Sequence, residues 1–259
     1  MRMLGHLLFA GALAGLGVLS LIYGDFAMVW QPVPEGVPHR AALAYASGAL
    51  LLAGGLAAML KRTATLATLV LTAFLFSWLL LLQLPRVAAN PLDEGMWLGF
   101  CENLVLVTGG WVQCVSLAAG EGRRWGNLAS GDAGLRLGRY LFAVALPVIG
   151  LSHFVYSSGT AQMVPAWIPF HLALAYLTGA GHIAAGVGLL LGILPRLAAT
   201  LEAVMISLFV LLLHIPGVVA EPGSRLQWTM VFVASTLAGA AWSVAGSMRC
   251  GSEQRIRAA

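Results

Sequence analysis

Charged side chains are scarce in this sequence. Fourteen basic and ten acidic residues make up only 9% of its 259 positions, whereas a soluble domain carries about 25%, and Lys61 is the only lysine. Hydrophobic residues account for 59% of the chain, and the mean hydropathy is +0.88. So few charges could not cover the surface of a soluble enzyme of this length, and a chain this hydrophobic is not a disordered one. The composition therefore predicts an integral membrane protein.

The sequence also lacks a cysteine framework and a basic cluster. Cys101, Cys114 and Cys250 form no CxxC pair, and the first two are expected on one helix, roughly 20 Å apart. An internal thiol pair that cycles with a disulfide is therefore not expected. The net charge is +4, but the arginines are scattered, so we do not expect nucleic acid as a partner.

Eight apolar stretches are long enough to cross the hydrocarbon layer, which requires about 20 residues. They span residues 4–24, 39–60, 65–84, 96–118, 137–156, 169–192, 197–216 and 227–248. If both termini are cytoplasmic, eleven basic residues lie inside and only Arg40, Arg86 and Arg225 lie outside, as the positive-inside rule requires. We therefore predict a multi-pass protein of a bacterial inner (cytoplasmic) membrane, in contact with lipid, with both termini in the cytoplasm.

The sequence repeats itself at an offset of 131 residues. Residues 32–115 align with residues 163–246 without a gap, with 24 identities in 84 positions, and the motif LAYxxGA occurs at 43–49 and at 174–180. We predict an all-α fold of two tandem four-helix bundles, at 1–120 and 136–250, joined by a cytoplasmic linker at 121–135. Because each unit has an even number of spans, the two copies should share one orientation, related by a pseudo-twofold axis along the membrane normal.

The run GHIAAGVGLLLGILPRLAATLEAVMISLFVLLLH at 181–214 resembles the core of the DoxX/DoxD-like family of bacterial membrane proteins. In that family a Gly-rich second helix meets a short turn with a basic residue, and an alanine-rich third helix ends in a polar residue. The first half repeats a weaker version at 47–74. The family is named for a subunit of a thiosulfate:quinone oxidoreductase, so the resemblance implies a redox-associated role and a redox partner subunit. Where relatives often carry an acidic residue in the second helix, this sequence has His182.

Ionisable residues inside the membrane are the candidate functional residues, because each costs about 2.5–3.5 kcal/mol to insert and should face the protein interior. His171 and His182 are 11 residues apart and share a helix face with Thr178. We predict an outward-opening ligand pocket in the second half, lined by His153, His171, Thr178, His182 and His214. Glu102 and Glu202 are candidates for a proton relay, although Glu202 is expected too close to the cytoplasmic side to join the outer histidines, His153, His171 and His214, directly.

The repeat offers a comparison for three of these histidines. His171 corresponds to Arg40, His214 to Gln83 and His182 to Leu51. Allowing a three-residue insertion, His153 corresponds to Asp25. Polar residues thus occur at most of these positions in both halves, and we predict that the second, histidine-rich pocket is the functional one.

Three interpretations of the histidines remain open. They are hydrogen-bonded packing residues, or they line a ligand or quinone pocket and donate to a carbonyl oxygen, or they bind haem or a metal. Imidazoles suit copper, zinc and iron, but no HxxH or HxxxH spacing is present, so a metal site is not predicted and haem is less favoured than a quinone.

Three functions follow from these interpretations. The first is a DoxX-like, redox-associated membrane protein that binds a small hydrophobic or quinone-like ligand in the second repeat. The second is a small-solute transporter with Glu102 or Glu202 facing a cavity. The third is a non-catalytic scaffold or assembly factor for a membrane complex. The chain carries no recognisable electron-carrier motif, so whether it is an enzyme is left open, and catalysis would require a bound cofactor or a partner subunit.

Overall fold

A computed structural model describes residues 1–122 and 131–248. Within these residues every regular element is helical, and eight helical spans are long and apolar enough to cross a membrane. The prediction of an all-α membrane fold with eight spans is therefore confirmed for the described part of the chain. The helices are α1 (Arg2–Tyr23), α2 (Arg40–Ala58), α3 (Ala64–Trp78), α4 (Leu84–Ala89), α5 (Glu94–Gly120), α6 (Gly131–Val155), α7 (Ser157–Met163), α8 (His171–Leu191), α9 (Pro195–Phe209), α10 (Ile215–Ala220) and α11 (Arg225–Ser247).

The third and seventh spans differ most from their predicted ends. Five-residue π-helical segments, Leu79–Gln83 and Val210–His214, join α3 to α4 and α9 to α10. Pro85 and Pro216 follow them, where they were expected to end the spans. A proline lacks an N–H and clashes with the carbonyl of the preceding turn, and a wide π turn accommodates that conflict within a continuous helix. The spans therefore continue past both prolines.

Several predictions concern residues outside the described ranges. Cys250 and five of the arginines that were assigned to the cytoplasmic side lie there. The predicted linker at 121–135 is described only at its ends, where α5 stops at Gly120 and α6 starts at Gly131. The linker and the domain boundaries stay predictions.

The two halves are joined through their first and last helices. The helix α1 packs extensively against α11, and α5 packs in the same way against α6, while α5 and α11 also touch each other. Within each half, α1 packs on α2 and α6 packs on α8. The described helices therefore form one body, with α5 and α11 at its centre. The pseudo-twofold axis stays a prediction.

Glycines allow α6 and α8 to approach closely. A Cβ atom added to Gly150 would lie 2.6 Å from the Gly179 carbonyl oxygen, and one added to Gly186 would lie 2.8 Å from the Ala143 oxygen. Small residues are what membrane helices use for such contacts, because dispersion contacts replace the hydrophobic driving force. This approach brings the C-terminal part of α6 against α8, where the candidate site residues His153 and His182 lie.

The contacts of the first helix in each half correct one residue pairing between the two repeats. A Cβ atom added to Gly48 would lie 2.9 Å from Cβ of Ser20, and one added to Gly179 would lie 2.8 Å from Cβ of His153. Because Gly48 and Gly179 are 131 positions apart, His153 corresponds to Ser20 in space. The expected pairing of His153 with Asp25 is wrong, since the relative shift in this helix is 133 positions rather than 128.

Candidate functional site

A cavity of about 510 Å³ lies in the second half of the protein, enclosed by α5, α6, α8, α9 and α11. Most of its wall is aliphatic or aromatic. It extends to α7 and to the segment that follows α7, which contribute Gly159, Met163 and Ile168. We call this end of the bundle, with residues 24–39 and 156–170, the far face. Six of the seven predicted site residues line the cavity: Glu102, His153, Thr178, His182, Glu202 and His214.

A histidine–glutamate pair lies in the wall of the cavity. Nδ1 of His182 is 2.7 Å from Oε1 of Glu202, and their side chains are 3% and 0% exposed. Glu202 thus meets His182, which was expected near the membrane midplane, and the expectation that Glu202 does not join the outer histidines directly stays a prediction. The helices α8 and α9 are joined by the short turn Gly192–Leu194, and the two residues lie ten positions before and after Gly192. At equal rise per residue they reach the same depth.

The second oxygen of Glu202 is unsatisfied. Oε2 is buried and has no hydrogen-bond partner among the described residues. Leaving a buried carboxyl oxygen without a partner costs free energy, and a net charge at this depth would cost more. Such a group, in the wall of a cavity, is suited to contact a bound molecule.

The proton on His153 can be placed from its neighbours. The hydroxyl of Thr178 lies 2.9 Å from the Leu174 oxygen and 3.0 Å from the Ala175 oxygen, to which it donates its single proton. Nδ1 of His153 lies 3.0 Å from the same hydroxyl oxygen, so while Thr178 gives its proton to these carbonyls, Nδ1 carries a proton and donates to Thr178. A neutral imidazole then keeps Nε2 as an acceptor. Its ring also lies 5.0 Å from the His182 ring.

The remaining predicted residues occupy two different positions. His214 is the last residue of the second π-helical segment, and its side chain is buried at the cavity wall. Gln83 holds the same place in the first half and donates to the Trp30 carbonyl oxygen at 3.1 Å. His171 is the first residue of α8, lies at the far face and is not among the cavity-lining residues. The structure thus brings four of the five predicted ligand residues together.

Comparison with known proteins identifies the segment that carries the cavity. A DoxX family model matches residues 134–215. This segment of the chain is DoxX-like. No curated protein and no solved structure matches the chain. The matched segment contains His153, Thr178, His182, Glu202 and His214, so most of the polar cavity residues belong to the DoxX-like part.

The first half also contributes to this cavity, through the predicted relay candidate Glu102 and through Trp30, which the sequence did not predict. Glu102 of α5 lines the wall and accepts a hydrogen bond of 2.7 Å from Nε1 of Trp30. Trp30 lies in the segment between α1 and α2, outside the DoxX-like match.

The positions equivalent to the buried pair are apolar in the first half. Leu51 and Leu71 stand 131 positions before His182 and Glu202, and both are fully buried. Ser47, at the position of Thr178, is 3.0 Å from Nε2 of Gln31 and is satisfied locally. The buried His182–Glu202 pair therefore has no polar counterpart at the equivalent positions of the first half.

The described residues contain no group of three or more His, Cys, Asp or Glu side chains that could hold a metal ion. Cys101 and Cys114 are free thiols buried in α5. Two of the cavity histidines are placed as hydrogen-bonding groups, His153 beside Thr178 and His182 beside Glu202.

Proposed function

We propose that this DoxX-like membrane protein binds a small, mainly apolar molecule with a polar head, of the quinone type, in the cavity of its second half. We further propose that it does so in a redox process with a partner subunit. The observation that carries the proposal is the buried His182–Glu202 pair in the wall of an otherwise apolar cavity.

The size and the lining of the cavity support this proposal. Sites for small molecules usually enclose about 300–1,000 Å³ and have mostly apolar walls with a few placed polar groups. The cavity measures about 510 Å³, and its polar groups lie on four different helices, α5, α6, α8 and α9. The leucines at the equivalent positions of the first half indicate that the fold does not itself need the pair.

The proposed orientation in the membrane indicates the side from which the ligand would reach the cavity. With both termini in the cytoplasm of a bacterial inner membrane, the far face is extracytoplasmic, as the distribution of arginines favours. The ligand would enter past α7. The matching π-helical segments, 131 positions apart, support an origin of the chain by tandem duplication, with boundaries near 1–120 and 136–250.

The test is ligand binding to the detergent-purified protein. Decylubiquinone and its quinol are titrated separately, and binding is followed by tryptophan fluorescence and by the shift in melting temperature. We expect saturable binding of at least one form. The double variant His182→Leu/Glu202→Leu, which copies the first half, should weaken that binding at least about tenfold, because it removes two polar contacts.

Thr200→Leu is the matched control, because Thr200 lies on α9 near Glu202 but does not line the cavity. Binding by this variant should equal that of the wild type. Absence of saturable binding for both forms, or unchanged binding in the double variant, would contradict the proposal and favour the scaffold function.

Transport is the second candidate, because carboxyl groups from both halves, Glu102 and Glu202, line the same cavity. This arrangement suits proton-coupled movement of a small solute. Uptake into proteoliposomes that is lost in Glu202→Gln would favour transport over simple ligand binding.

A further inference from the structure

The hydrogen-bonding character of the cavity can be worked out from its buried pair. Oε1 of Glu202 and Nδ1 of His182 share one hydrogen bond. Each residue keeps one further polar atom: Oε2 of Glu202, which is buried with no hydrogen-bond partner among the described residues, and Nε2 of His182, which takes no part in the shared bond. A ligand in this cavity would meet these two atoms.

Because the pair is neutral overall, the number of hydrogen-bond donors and acceptors that these two atoms provide can be worked out. A net charge buried at membrane depth is costly, so the pair holds its protons with zero total charge. If Glu202 is ionised and His182 is protonated, Oε2 accepts and Nε2–H donates. If a proton moves along the shared hydrogen bond, the same roles remain. If Oε2 itself carries the proton, it donates and Nε2 accepts. Every neutral arrangement therefore presents one donor and one acceptor.

His153 adds a second acceptor. While Thr178 gives its proton to the Leu174 and Ala175 oxygens, Nδ1–H of His153 donates to Thr178 and Nε2 of the neutral ring accepts. The ring lies 5.0 Å from the His182 ring, and both rings lie about 6 Å from the ring of Phe209. The polar atoms are thus gathered beside one aromatic wall.

We propose that the ligand of this cavity carries a hydroxyl group, and that it binds in preference to the matching carbonyl or ether compound. This inference rests on the proposed function, since it names the polar group of the molecule bound there. A hydroxyl group donates one hydrogen bond and accepts others. It can donate to an acceptor of the pair or of His153 while it accepts from the donor of the pair. A phenol, a quinol or an alcohol on an apolar body fits this requirement.

A carbonyl or ether oxygen fits less well, because it only accepts. It would satisfy the single donor of the His182–Glu202 pair and leave the acceptors without a partner, and unsatisfied buried acceptors cost free energy. In this proposal His153 accepts from the ligand, with its own donor on Thr178, in place of the expected donation from histidine to a ligand carbonyl.

A pair of redox-inert probes tests the inference. 4-Hexylphenol and 4-hexylanisole differ only in whether the oxygen carries a proton or a methyl group, and each is titrated into the detergent-purified full chain. We expect the phenol to bind about tenfold or more tightly, since one hydrogen bond to a buried polar acceptor is worth about that factor. In His182→Leu/Glu202→Leu the two affinities should approach each other.

His153→Phe provides a second, milder change, because it keeps an aromatic ring beside Phe209 and removes only the imidazole nitrogens. The phenol should lose affinity in this variant while the anisole keeps its own, and Thr200→Leu should leave both unchanged. Saturable binding of both probes with equal affinity, or tighter binding of the anisole, would overturn the inference and leave the proposed function intact. Failure of both probes and of both ubiquinone forms to bind would overturn the proposed function and the inference with it.

Discussion

His182 and Glu202 show how a buried ionisable residue depends on its partner. Each is almost completely enclosed, and the two meet through one hydrogen bond of 2.7 Å. Removing one partner of a buried pair leaves the other uncompensated, whereas replacing both with apolar residues is often neutral. Leu51 and Leu71 already occupy the equivalent sites in the first half.

At this residue scale we expect the single variants to be less stable than the double one. His182→Leu and Glu202→Leu should each lower the free energy of unfolding by about 3 kcal/mol. The double variant should recover most of that loss, because no buried polar group is left alone. Melting temperatures of the four proteins in one detergent measure this. A double variant less stable than both single variants would show that the pair stabilises the fold by itself.

At the scale of helices, close packing of α6 on α8 positions His153 against Thr178. A Cβ atom at Gly150 would meet the Gly179 oxygen at 2.6 Å and the Ile183 side chain at 2.7 Å. Backbone cannot move aside as the tip of a flexible side chain can, so a larger residue must separate the two helices.

Gly150→Val should therefore destabilise the protein by about 1–3 kcal/mol, the usual cost of overpacking, and should weaken ligand binding by displacing His153. Gly120→Val is the control, because nothing lies within 4 Å of a Cβ atom added there. The measurement is the melting temperature together with the affinity for the quinol. Equal stability of the two variants would contradict a tight α6–α8 contact.

The helical spans were predictable from the sequence because hydropathy alone decides which segments can cross a membrane. The same pattern places His182 and His214 inside predicted spans of the second half, so their burial could also be predicted. The pairing of His182 with Glu202 was missed because depth was judged from each helix separately, and the short turn between the helices sets their relative depth. The contribution of Trp30 could not be predicted, since it depends on how the two halves pack.

At the scale of the whole molecule, Asp25 connects the two halves at the far face. Its carboxylate accepts hydrogen bonds from Arg40 at 2.5 Å and from Arg225, the first residue of α11, at 3.0 Å. Partial burial raises the pKa of Asp25, but hydrogen bonds from the Phe26 N–H, Arg225 and Arg40 outweigh it and hold the pKa below its ordinary value of 3.8. The folded protein therefore binds the proton less readily than the unfolded chain does.

The sign of the pH dependence follows from this lowered pKa. The stabilisation is fully present above the ordinary pKa and is lost as the pH falls through the lower, folded value. Asp25→Asn should reduce the stability at pH 7 by roughly 1 kcal/mol, as expected for partly exposed ion pairs. The difference from the wild type should shrink below about pH 4. Melting temperatures of both proteins from pH 7 to pH 3 test this, and a difference that grows in acid would contradict it.

The turn Gly192–Leu194 has a consequence for how this protein can vary. One residue inserted there would rotate α9 by about 100° and shift it by about 1.5 Å relative to α8, which would carry Glu202 out of reach of His182. The length of this turn is therefore under the same constraint as the two side chains. Insertions in the segment 164–170 meet a weaker limit, since the longer connection between α6 and α8 can take up an added residue while His153 stays beside Thr178. Among chains that keep both residues, loop length should thus be invariant at one end of α8 and less restricted at the other.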